Sequence, residues 1–376
     1  MKSLVAAAFC IMVLLLLDRN IAAEIKIVSG RAMGTSYTLK LAGPSETTSF
    51  DEASTAVKDE LERIETIFSL YRPESELSRW NEAKANEWIE VSEDLYLVAQ
   101  FAMELSRETD GAFDPTVRPL MRLWQLDSLA PAWAPPSLEA IEECRTKIGS
   151  NQIEFQANPR SILKRSEAIQ MDLNALVEGW AIDHVVSLLT RSGFGRALFE
   201  LGGEFGSIGR PTDSVPWQVG IEDPKNPSRL ITKVALTGES LCTSGNTKQG
   251  RVHRGQRYSH ILDPRTGRPV DHDMATVSVL HASAMVADGW STALLVLGPK
   301  ASRAFAERKG LCVGFVRITP EGVHMSSTAE SSDRFQRSNA DVTPSSWPHW
   351  VMSGISVFVL VGFFAAYIVL NKRKSR

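Results

Sequence analysis

The sequence predicts an α+β domain in which mixed β-sheets are flanked by helices. Three observations lead to this class. Segments of β type interleave with amphipathic helical segments, but without a regular βαβ alternation. The segment 202–209 resembles a Gly-x-Gly-x-x-Gly turn but has the wrong spacing, and a Pro turn follows it, so a dinucleotide site of Rossmann type is rejected. The composition is that of an ordinary globular protein, and its apolar content is sufficient for a core.

Charge and cysteine content exclude several classes of function. The formal net charge is −3 over 376 residues, and no basic stripe interleaved with aromatic residues occurs, which argues against nucleic-acid binding. The four cysteines, at positions 10, 144, 242 and 312, form no Cys-x-x-Cys pair. Neither a zinc knuckle nor a thioredoxin-type site is therefore indicated, and the body could form at most one disulfide.

The two termini predict the location of the chain. Residues 1–23 carry Lys2, an apolar run and a cleavage-like Ile-Ala-Ala, as in a secretory signal peptide. Residues 350–371 form an apolar stretch long enough to cross a bilayer, and the basic tail 372–376 follows. The positive-inside rule places that tail in the cytoplasm. We therefore expect a single-pass inner-membrane protein whose body, residues 24–325, lies on the periplasmic side, joined by a linker, 326–349, to the span.

Elements in the first half of the body follow from periodicity and turn chemistry. Residues 36–41 alternate like a half-buried strand. Phe50–Phe68 shows one apolar stripe and is predicted to be helical. The polar, turn-rich segment 69–81 is assigned to a loop, and 92–109 to a second helix that Gly111 ends. The segment 111–117 is a tight connection, and a short helix is expected at 138–148.

The second half alternates between helix and strand signals. A helical stripe begins at Asp172, whose side chain could cap the first turn of the helix. The free backbone amides at the N-terminus of this helix could receive phosphates. Residues 258–267 are predicted to be a strand that runs into a Pro/Gly turn. Further strands are predicted at 196–201, 217–221, 231–236, 275–280 and 312–318.

The segment 282–297 is the stretch around which the site is predicted. Its apolar residues recur at helical spacing, and Ser283 precedes them as a plausible N-cap. Asp288 and Thr292 are four apart, so their oxygens project from one helix face, which Ser291 borders. A carboxylate beside hydroxyls suits a hard cation such as Mg²⁺. An ordinary amphipathic helix with an exposed Asp is the alternative that this stretch alone leaves open.

Together these segments resemble the ApbE family of FAD:protein FMN transferases, which includes NosX-type members. The resemblance covers nearly the whole body, from Met33 to Gly298. It rests on eight pieces in family order: Met-Gly-Thr at 33–35, Tyr-Arg-Pro-Glu-Ser-Glu-Leu at 71–77, Gly-Ala-Phe-Asp-Pro-Thr at 111–116, 172–183, Leu-Gly-Gly at 201–203, Thr-Ser-Gly at 243–245, His-Ile-Leu-Asp-Pro-Arg-Thr-Gly at 260–267, and 287–292.

The resemblance implies an activity and a site. Family members bind FAD and Mg²⁺ outside the cytoplasmic membrane and move FMN onto a Thr or Ser hydroxyl of a partner flavoprotein, releasing AMP. By that likeness, the metal is held by Asp288, Ser291, Thr292 and the backbone carbonyl of Ala175. The FAD site is then lined by Met33, Tyr71, Ala112, Phe113, Asp114, Asp172, Glu178 and Ile261.

Roles for several of these residues follow from their chemistry. Tyr71 can stack on a flavin or adenine ring, and Asp114 and Asp172 can accept hydrogen bonds from ring or ribose donors. His260 is the natural base for the acceptor hydroxyl, with Asp288 and Asp263 as alternatives. Many members have Lys-Gly where this chain has Glu178-Gly179, and Gly-Gly where it has Asn174-Ala175. A Glu near a diphosphate repels it unless the carboxylate faces a ribose, a ring donor or the metal's waters.

The sequence leaves three functions to compare. The first is the Mg²⁺-dependent transferase. The second is an FAD pyrophosphatase that uses the same site with water as the nucleophile and gives FMN and AMP. The third is a membrane-tethered flavin carrier without catalysis, against which the presence of Asp288 and Thr292 argues. The expected acceptor is a flavoprotein of a membrane electron-transfer complex of the Nqr, Rnf or NosR type. A role in thiamine metabolism receives no support.

Overall fold

The computed structural model describes residues 24–126, 133–247 and 250–335. The predicted signal peptide, transmembrane helix and basic tail lie outside the described residues. Among the helices that the structure describes, none combines the length and apolar character needed to cross a bilayer. The last strand ends at Ser327, a 3₁₀ turn follows at Ala329–Ser331, and Phe335 is buried, so ordered packing continues past the predicted domain end at 325.

Seven helices are found in this part of the chain. The α+β class is confirmed by their distribution among the strands, since helices and hairpins do not alternate regularly. In chain order they are α1 Phe50–Phe68, α2 Glu76–Glu82, α3 Glu93–Glu108, α4 Arg118–Leu123, α5 Leu138–Arg145, α6 Asn174–Arg191 and α7 Ala284–Arg308.

The described strands number seventeen. They are β1 Ile25–Ala32, β2 Thr35–Ala42, β3 Ile89–Glu90, β4 Ile153–Ala157, β5 Arg160–Lys164, β6 Ala197–Leu201, β7 Glu204–Ile208, β8 Trp217–Asp223, β9 Asn226–Leu236, β10 Ser240–Gly245, β11 Gly250–His253, β12 Gln256–Ser259, β13 Leu262–Asp263, β14 Arg268–Pro269, β15 Met274–His281, β16 Cys312–Thr319 and β17 Gly322–Ser327.

One eight-stranded sheet organises the domain. Its order is β1-β2-β6-β7-β10-β15-β16-β17, and β3, β5 and β4 form a smaller sheet. Every strand pair in the described residues is antiparallel, whereas mixed pairing was expected. Hairpins join three of the seven neighbouring pairs, β1–β2, β6–β7 and β16–β17, and a short turn allows only an antiparallel pair.

The large sheet is covered on both faces. Helices α1, α3, α6 and α7 pack on one face and form the main core with strands β2, β6 and β15. The β8–β9 ribbon packs on the opposite face through side chains such as Trp217 and Val234. This burial on both sides explains why the five residues of β6 are all buried. The site described below forms where α6 and α7 cross the ends of the central strands.

Several sequence predictions are confirmed by the structure. Helix α1 has the predicted bounds, and Ser49 and Glu52 form a capping box at its start. Helix α3 lies inside the predicted 92–109, with Ser92 as N-cap. Ser283 caps α7 by accepting a hydrogen bond from the Val286 amide. These features depend on neighbours three or four residues apart, which a sequence displays directly.

Two segments differ from the predictions. The composition of residues 69–81 predicts a loop, but α2 begins at Glu76 because Ser75 caps it, accepting from the Ser78 amide. Strand β7, which the sequence pattern does not predict, follows Gly202-Gly203 because these two glycines close a tight hairpin from β6. The described cysteines Cys144, Cys242 and Cys312 are all free thiols, so none of them forms the bridge that was possible.

Candidate functional site

The site is built where helices α6 and α7 approach closely. Gly179 of α6 faces the backbone of Ala284, and a Cβ atom at Gly179 would lie 2.5 Å from the Ala284 carbonyl oxygen. Gly289 of α7 faces Leu176, whose Cδ2 would lie 2.6 Å from a Cβ at that position. A glycine on each helix thus removes the side chain that would keep the two helices apart. Side chains of α7 can therefore reach the backbone of α6.

Asp183 sets the register between the two helices. Its carboxylate accepts hydrogen bonds from the Ser283 hydroxyl at 2.6 Å, from the Ala284 amide at 2.7 Å and from the Met285 amide at 3.1 Å. A helix N-terminus has free amides and a partial positive charge, both of which an aspartate satisfies. The start of α7 is therefore tied to the middle of α6.

Asp288 lies one turn into α7 and points at α6. It is 6% exposed, and its Oδ2 accepts a hydrogen bond from the Gly179 amide at 3.3 Å. In a regular helix the Gly179 amide is directed at the carbonyl of Ala175, four residues earlier. The Asp288 carboxylate therefore approaches the turn of α6 that carries the Ala175 carbonyl. These are two of the predicted metal ligands, and the structure brings them together.

Two further predicted ligands lie next on α7. Ser291 and Thr292 both share hydrogen bonds with the hydroxyl of Ser244, at the end of β10, with O–O distances of 2.7 Å. Ser291 also donates to the Asp288 carbonyl at 2.8 Å, so its hydroxyl is engaged within the helix. Ser244 thereby orients the Thr292 hydroxyl on the face that carries Asp288.

Three glutamates surround the Gly202-Gly203 turn beside Asp288. Glu178 lies under Gly202, where a Cβ would meet its Oε2 at 2.3 Å. Glu200 accepts from the Gly203 amide at 2.9 Å. Glu204, almost fully buried, accepts from the Thr243 amide at 2.8 Å. Their carboxylates and that of Asp288 form one acidic cluster, which we call the carboxylate cluster.

Burial and mutual repulsion raise the pKa values of this cluster. Loss of solvent raises the pKa of Glu178 and of Glu200 to about 7 each, and the charge of Glu200 adds to the effect on Glu178. Burial raises the pKa of Glu204 to about 8, with the Glu178 charge as the next cause. Burial, followed by the charges of Glu204 and Glu178, raises the pKa of Asp288 well above its usual range. A cation bound beside the cluster would reduce the repulsion between these carboxylates and lower their pKa values.

The donor set fits a hard cation. Within residues 24–126, 133–247 and 250–335, no group of three or more His, Cys, Asp or Glu side chains is arranged to hold a metal ion. The predicted set is of another kind, with one carboxylate, hydroxyl oxygens and a backbone carbonyl. Oxygen donors of this kind suit Mg²⁺, which keeps several positions for water and substrate phosphates. The feature of this set that suits a cation is the buried Asp288 carboxylate, which is directed at the turn of α6 that carries the Ala175 carbonyl.

The carboxylate cluster predicts a pH dependence of stability. A carboxyl whose pKa is raised in the folded protein stays protonated while the unfolded chain ionises, so the contribution of this cluster to stability is complete below about pH 4.5 and is lost as the pH rises to about 8. We expect Glu204→Gln, which keeps the acceptor for the Thr243 amide, to reduce that loss by roughly 1 kcal/mol per pH unit. Urea unfolding in EDTA between pH 5 and 8 measures how steeply the free energy of unfolding falls with pH in the wild type and in Glu204→Gln. Equal slopes for the two proteins would contradict this assignment.

The predicted FAD residues around 112–114 fall in two environments. Ala112 is buried with Val270 and Val296, and Ile261 packs against them, so both predicted residues meet α7 one turn beyond Thr292. Phe113 is part of the main core. The turn that carries them thus rests on the helix that carries the candidate metal ligands.

Asp114 is engaged within its own turn. Its Oδ1 accepts from the Thr116 amide at 2.8 Å and hydroxyl at 2.6 Å, and its Oδ2 from the Ser150 amide at 3.3 Å. Burial raises its pKa. The carboxylate of Asp114, which was expected to accept hydrogen bonds from a ring or ribose, therefore accepts most of its hydrogen bonds from its own turn. This turn, Arg145 and Arg265 border a cavity of about 200 Å³.

Asp172 connects that turn to α6. Its amide donates to the Pro115 carbonyl at 2.7 Å, and its Oδ1 accepts from the Asn174 amide at 3.0 Å. The N-cap position is occupied by Leu173, and no side chain makes a capping hydrogen bond there. The prediction that Asp172 caps the first turn is therefore wrong, and its side chain instead closes a turn just before the helix.

The remaining predicted residues lie on separate segments. Met33 lies half-buried in the turn between β1 and β2, and Tyr71, 78% exposed, follows α1. His260, the candidate base, is half-buried at the bend between β12 and Ile261. His260 directly precedes Ile261, which packs against the cluster that contains Val296 of α7.

Sequence reasoning missed four residues of the site: Asp183, Glu200, Glu204 and Ser244. Asp183 and Ser244 stood inside recognised motifs without an assigned role. Glu200 and Glu204 flank the Gly-Gly pair on buried strands, and an acidic residue on each side of a buried hairpin turn is the signal that could have revealed them.

The chain is similar to a family model, to known proteins and to solved structures. The model of the ApbE family matches residues 33–315. The FAD:protein FMN transferase of Escherichia coli K12 is 31% identical over 304 residues, which cover 80% of this chain and 86% of that protein. The corresponding protein of a Vibrio cholerae O1 strain is 33% identical over 296 residues, with 78% and 88% covered. The structure of the flavin transferase ApbE from Vibrio cholerae superposes with a TM-score of 0.77 at 31% identity, covering 83% of this chain and all of that one.

Proposed function

The chain belongs to the ApbE family, and we propose on that basis that it is an FAD:protein FMN transferase. It takes FMN from FAD and attaches it through a phosphoester bond to a Thr or Ser hydroxyl of a partner flavoprotein, releasing AMP. The observation that carries the proposal is the buried Asp288, directed at α6 with Thr292 beside it on α7. This arrangement would place a cation next to a diphosphate.

The reaction is a phosphoryl-type transfer with a balanced exchange of bonds. The acceptor hydroxyl oxygen attacks the phosphorus on the FMN side of the FAD diphosphate. A new P–O bond to the acceptor forms as the P–O bond to AMP breaks. The hydroxyl proton passes to a base, and AMP leaves with the electron pair of the broken bond. Negative charge therefore grows on the leaving phosphate, and this charge has to be stabilised.

Residues of α6 and α7 are assigned to the cation. Asp288, Thr292, Ser291 and the carbonyl of Ala175 would hold Mg²⁺, which, when bound, supplies positive charge to the diphosphate oxygens. Ser244 keeps the Thr292 hydroxyl oriented, and Asp183 keeps α7 in register with α6. Preorganised donors of this kind need not rearrange during the reaction.

The proton and the flavin are assigned to other parts of the fold. His260 directly precedes Ile261, which packs against the cluster that contains Val296 of α7, and it is proposed to accept the proton of the acceptor hydroxyl. Asp114 and Asp172 hold the turn that carries Ala112 and Phe113, and Ile261 packs against the cluster that contains Ala112. The exposed ring of Tyr71 offers a stacking surface for a flavin or adenine.

Intact-mass measurement of an acceptor tests the proposal. The full-length protein in detergent is incubated with FAD, Mg²⁺ and an acceptor domain that carries an Asp-x-x-Ser-Gly-Ala-Thr sequence. We expect the acceptor to gain one FMN moiety, and the gain to disappear in EDTA. Free FMN and AMP without acceptor modification would show a pyrophosphatase instead. Bound FAD without either product would show a flavin carrier.

Location and acceptor form a further part of the proposal. We propose that residues 1–23 direct export, that 350–371 anchor the chain in the inner membrane, and that catalysis takes place on the periplasmic side. The apolar length of the second segment and the basic residues after it support this topology. The acceptor is then an outward-facing flavoprotein of the Nqr, Rnf or NosR type. Deleting residues 351–376 should release an active protein from the membrane fraction, and retention there would contradict the anchor.

A further inference from the structure

The turn at Met33 has an unusual backbone for its residue type. Met33 and Gly34 join β1 to β2 as a two-residue hairpin turn, with φ angles of +52° and +76°. Turns with two positive φ angles favour Asn, Asp and Gly, because a Cβ atom is crowded there. A methionine in this position is strained, and strain of this kind at a ligand-lining residue points to a functional constraint that other contacts maintain.

Glu65 supplies one of those contacts. This residue lies in the last turn of α1, with a largely buried side chain, and its Oε1 accepts the hydrogen bond from the Met33 amide. The amide belongs to the strained residue itself. A charged acceptor strengthens such a bond relative to a neutral one. Glu65 therefore holds the Met33 turn against the end of α1.

The second oxygen of the same carboxylate holds the loop that carries Tyr71. Its Oε2 pairs with the Arg72 guanidinium, which also bonds to Glu62 at 2.6 Å. The loop is closed at its base, since the Ser75 hydroxyl donates to the Ser69 carbonyl at 2.5 Å and the Ser75 amide to the Arg72 carbonyl at 3.1 Å. The exposed Tyr71 ring therefore stands on a loop with a defined conformation.

We propose that Glu65 is a positioning residue for FAD, because one carboxylate joins the Met33 turn to the Tyr71 loop. The inference rests on the proposed function, which places Met33 and Tyr71 at the flavin nucleotide. Glu65 itself does not touch FAD. Glu65 sets the spacing between the Met33 turn and the Tyr71 loop, which contact FAD. A binding site whose loops are already ordered loses less binding free energy when the ligand binds.

The chemistry of the side chain makes this position specific for glutamate. A carboxylate accepts hydrogen bonds at both oxygens, so it serves an amide and a guanidinium together. A glutamine can still accept from the Met33 amide, but its NH₂ group would then face the donors of Arg72. Glu65→Gln therefore breaks one connection and Glu65→Ala breaks both, which predicts a graded loss.

Direct measurement of FAD binding tests the inference. We expect the dissociation constant of FAD for the full-length protein in detergent to rise about tenfold with Glu65→Ala and by a smaller factor with Glu65→Gln. The maximal transfer rate at saturating FAD should change by less than about threefold, because the reacting atoms are held elsewhere. Circular dichroism checks the fold, and the glutamine variant keeps the test valid if the alanine variant unfolds.

Glu62→Gln is the matched control. Glu62 lies on the same helix and pairs with the same guanidinium, but among the hydrogen bonds of the described residues it makes none to the Met33 amide. Its side chain is 60% exposed, so the pair contributes little. We expect the dissociation constant of FAD to change by less than about twofold in this variant.

A double-mutant cycle separates positioning from a general loss of stability. If Glu65 acts through Tyr71, the effect of Glu65→Ala on FAD binding should be clearly smaller in a Tyr71→Ala background. Unchanged FAD affinity in both Glu65 variants, or full additivity with Tyr71→Ala, would overturn the inference. Wild-type protein that binds FAD but transfers no FMN would instead contradict the proposed transferase and leave the positioning role intact.

Discussion

Asp288→Ala is expected to lower the rate of FMN transfer by about a thousandfold, the scale seen when a preorganised electrostatic contact to a developing charge is lost. Asp288 is the one carboxylate in the proposed ligand set, and its Oδ2 lies 3.3 Å from the Gly179 amide. The acceptor-mass assay measures the rate, and binding of Mn²⁺ followed by electron paramagnetic resonance reports whether the cation site is lost.

The same substitution should leave the fold intact. Burial and two neighbouring carboxylates raise the pKa of Asp288 well above its usual range, so ionised Asp288 destabilises the metal-free protein. We therefore expect Asp288→Ala to unfold in EDTA at the same or a higher urea concentration than the wild type. Asp273→Ala, which breaks a surface pair with Arg317, is the control and should keep transfer within about twofold. Normal transfer by Asp288→Ala in chelator-free buffer would remove the metal assignment.

Gly179→Ala is expected to cause the largest loss of stability, about 2–3 kcal/mol in the free energy of unfolding. The added Cβ would lie 2.5 Å from the Ala284 carbonyl oxygen and 2.7 Å from the Met285 Cα. These are backbone atoms of α7 and cannot rotate away, so the two helices must separate. The better helix propensity of alanine offsets less than about 1 kcal/mol of this cost.

Separation of the helices should also lower FMN transfer, because Asp288 and Ala175 lie on opposite sides of the widened contact. Gly195→Ala is the matched control, since no heavy atom of the described residues lies within 4 Å of a Cβ at that position. Urea unfolding of both variants measures the difference. Equal stability of Gly179→Ala and Gly195→Ala would show that the close approach of α6 and α7 is not required.

Prediction from sequence succeeded where a short range of the chain carries the information. The bounds of α1, the cap at Ser283 and the placement of Asp288 and Thr292 on one face of α7 all follow from spacings of three or four residues. Helix α2 was missed because its seven residues are too few for a periodic pattern, although Ser75 was a visible cap. The antiparallel order of the sheet was also outside the reach of local patterns.

The candidate site also contains residues that the sequence reveals and residues that only the fold brings together. The acidic and hydroxyl residues of α7 were visible in one segment, and the ApbE resemblance supplied the FAD-lining set. The carboxylate cluster was not visible, because Glu178, Glu200 and Glu204 come from a helix and two strands and meet only at the Gly202-Gly203 turn. Their raised pKa values are properties of that meeting, since burial and mutual repulsion exist only in the folded chain.

By itself, the sequence determined the α+β class, most helix and strand positions, the ApbE resemblance and the residue types that can serve a cation and a flavin. Those properties depend on side-chain chemistry and on neighbours along the chain. The tertiary structure decided which residues meet: the contact of Asp288 with α6, the support of Thr292 by Ser244, and the two-sided contact of Glu65 with Met33 and Arg72. Such contacts join residues that are distant in the chain, and only the packing of helices on the sheet brings them within a hydrogen bond of each other.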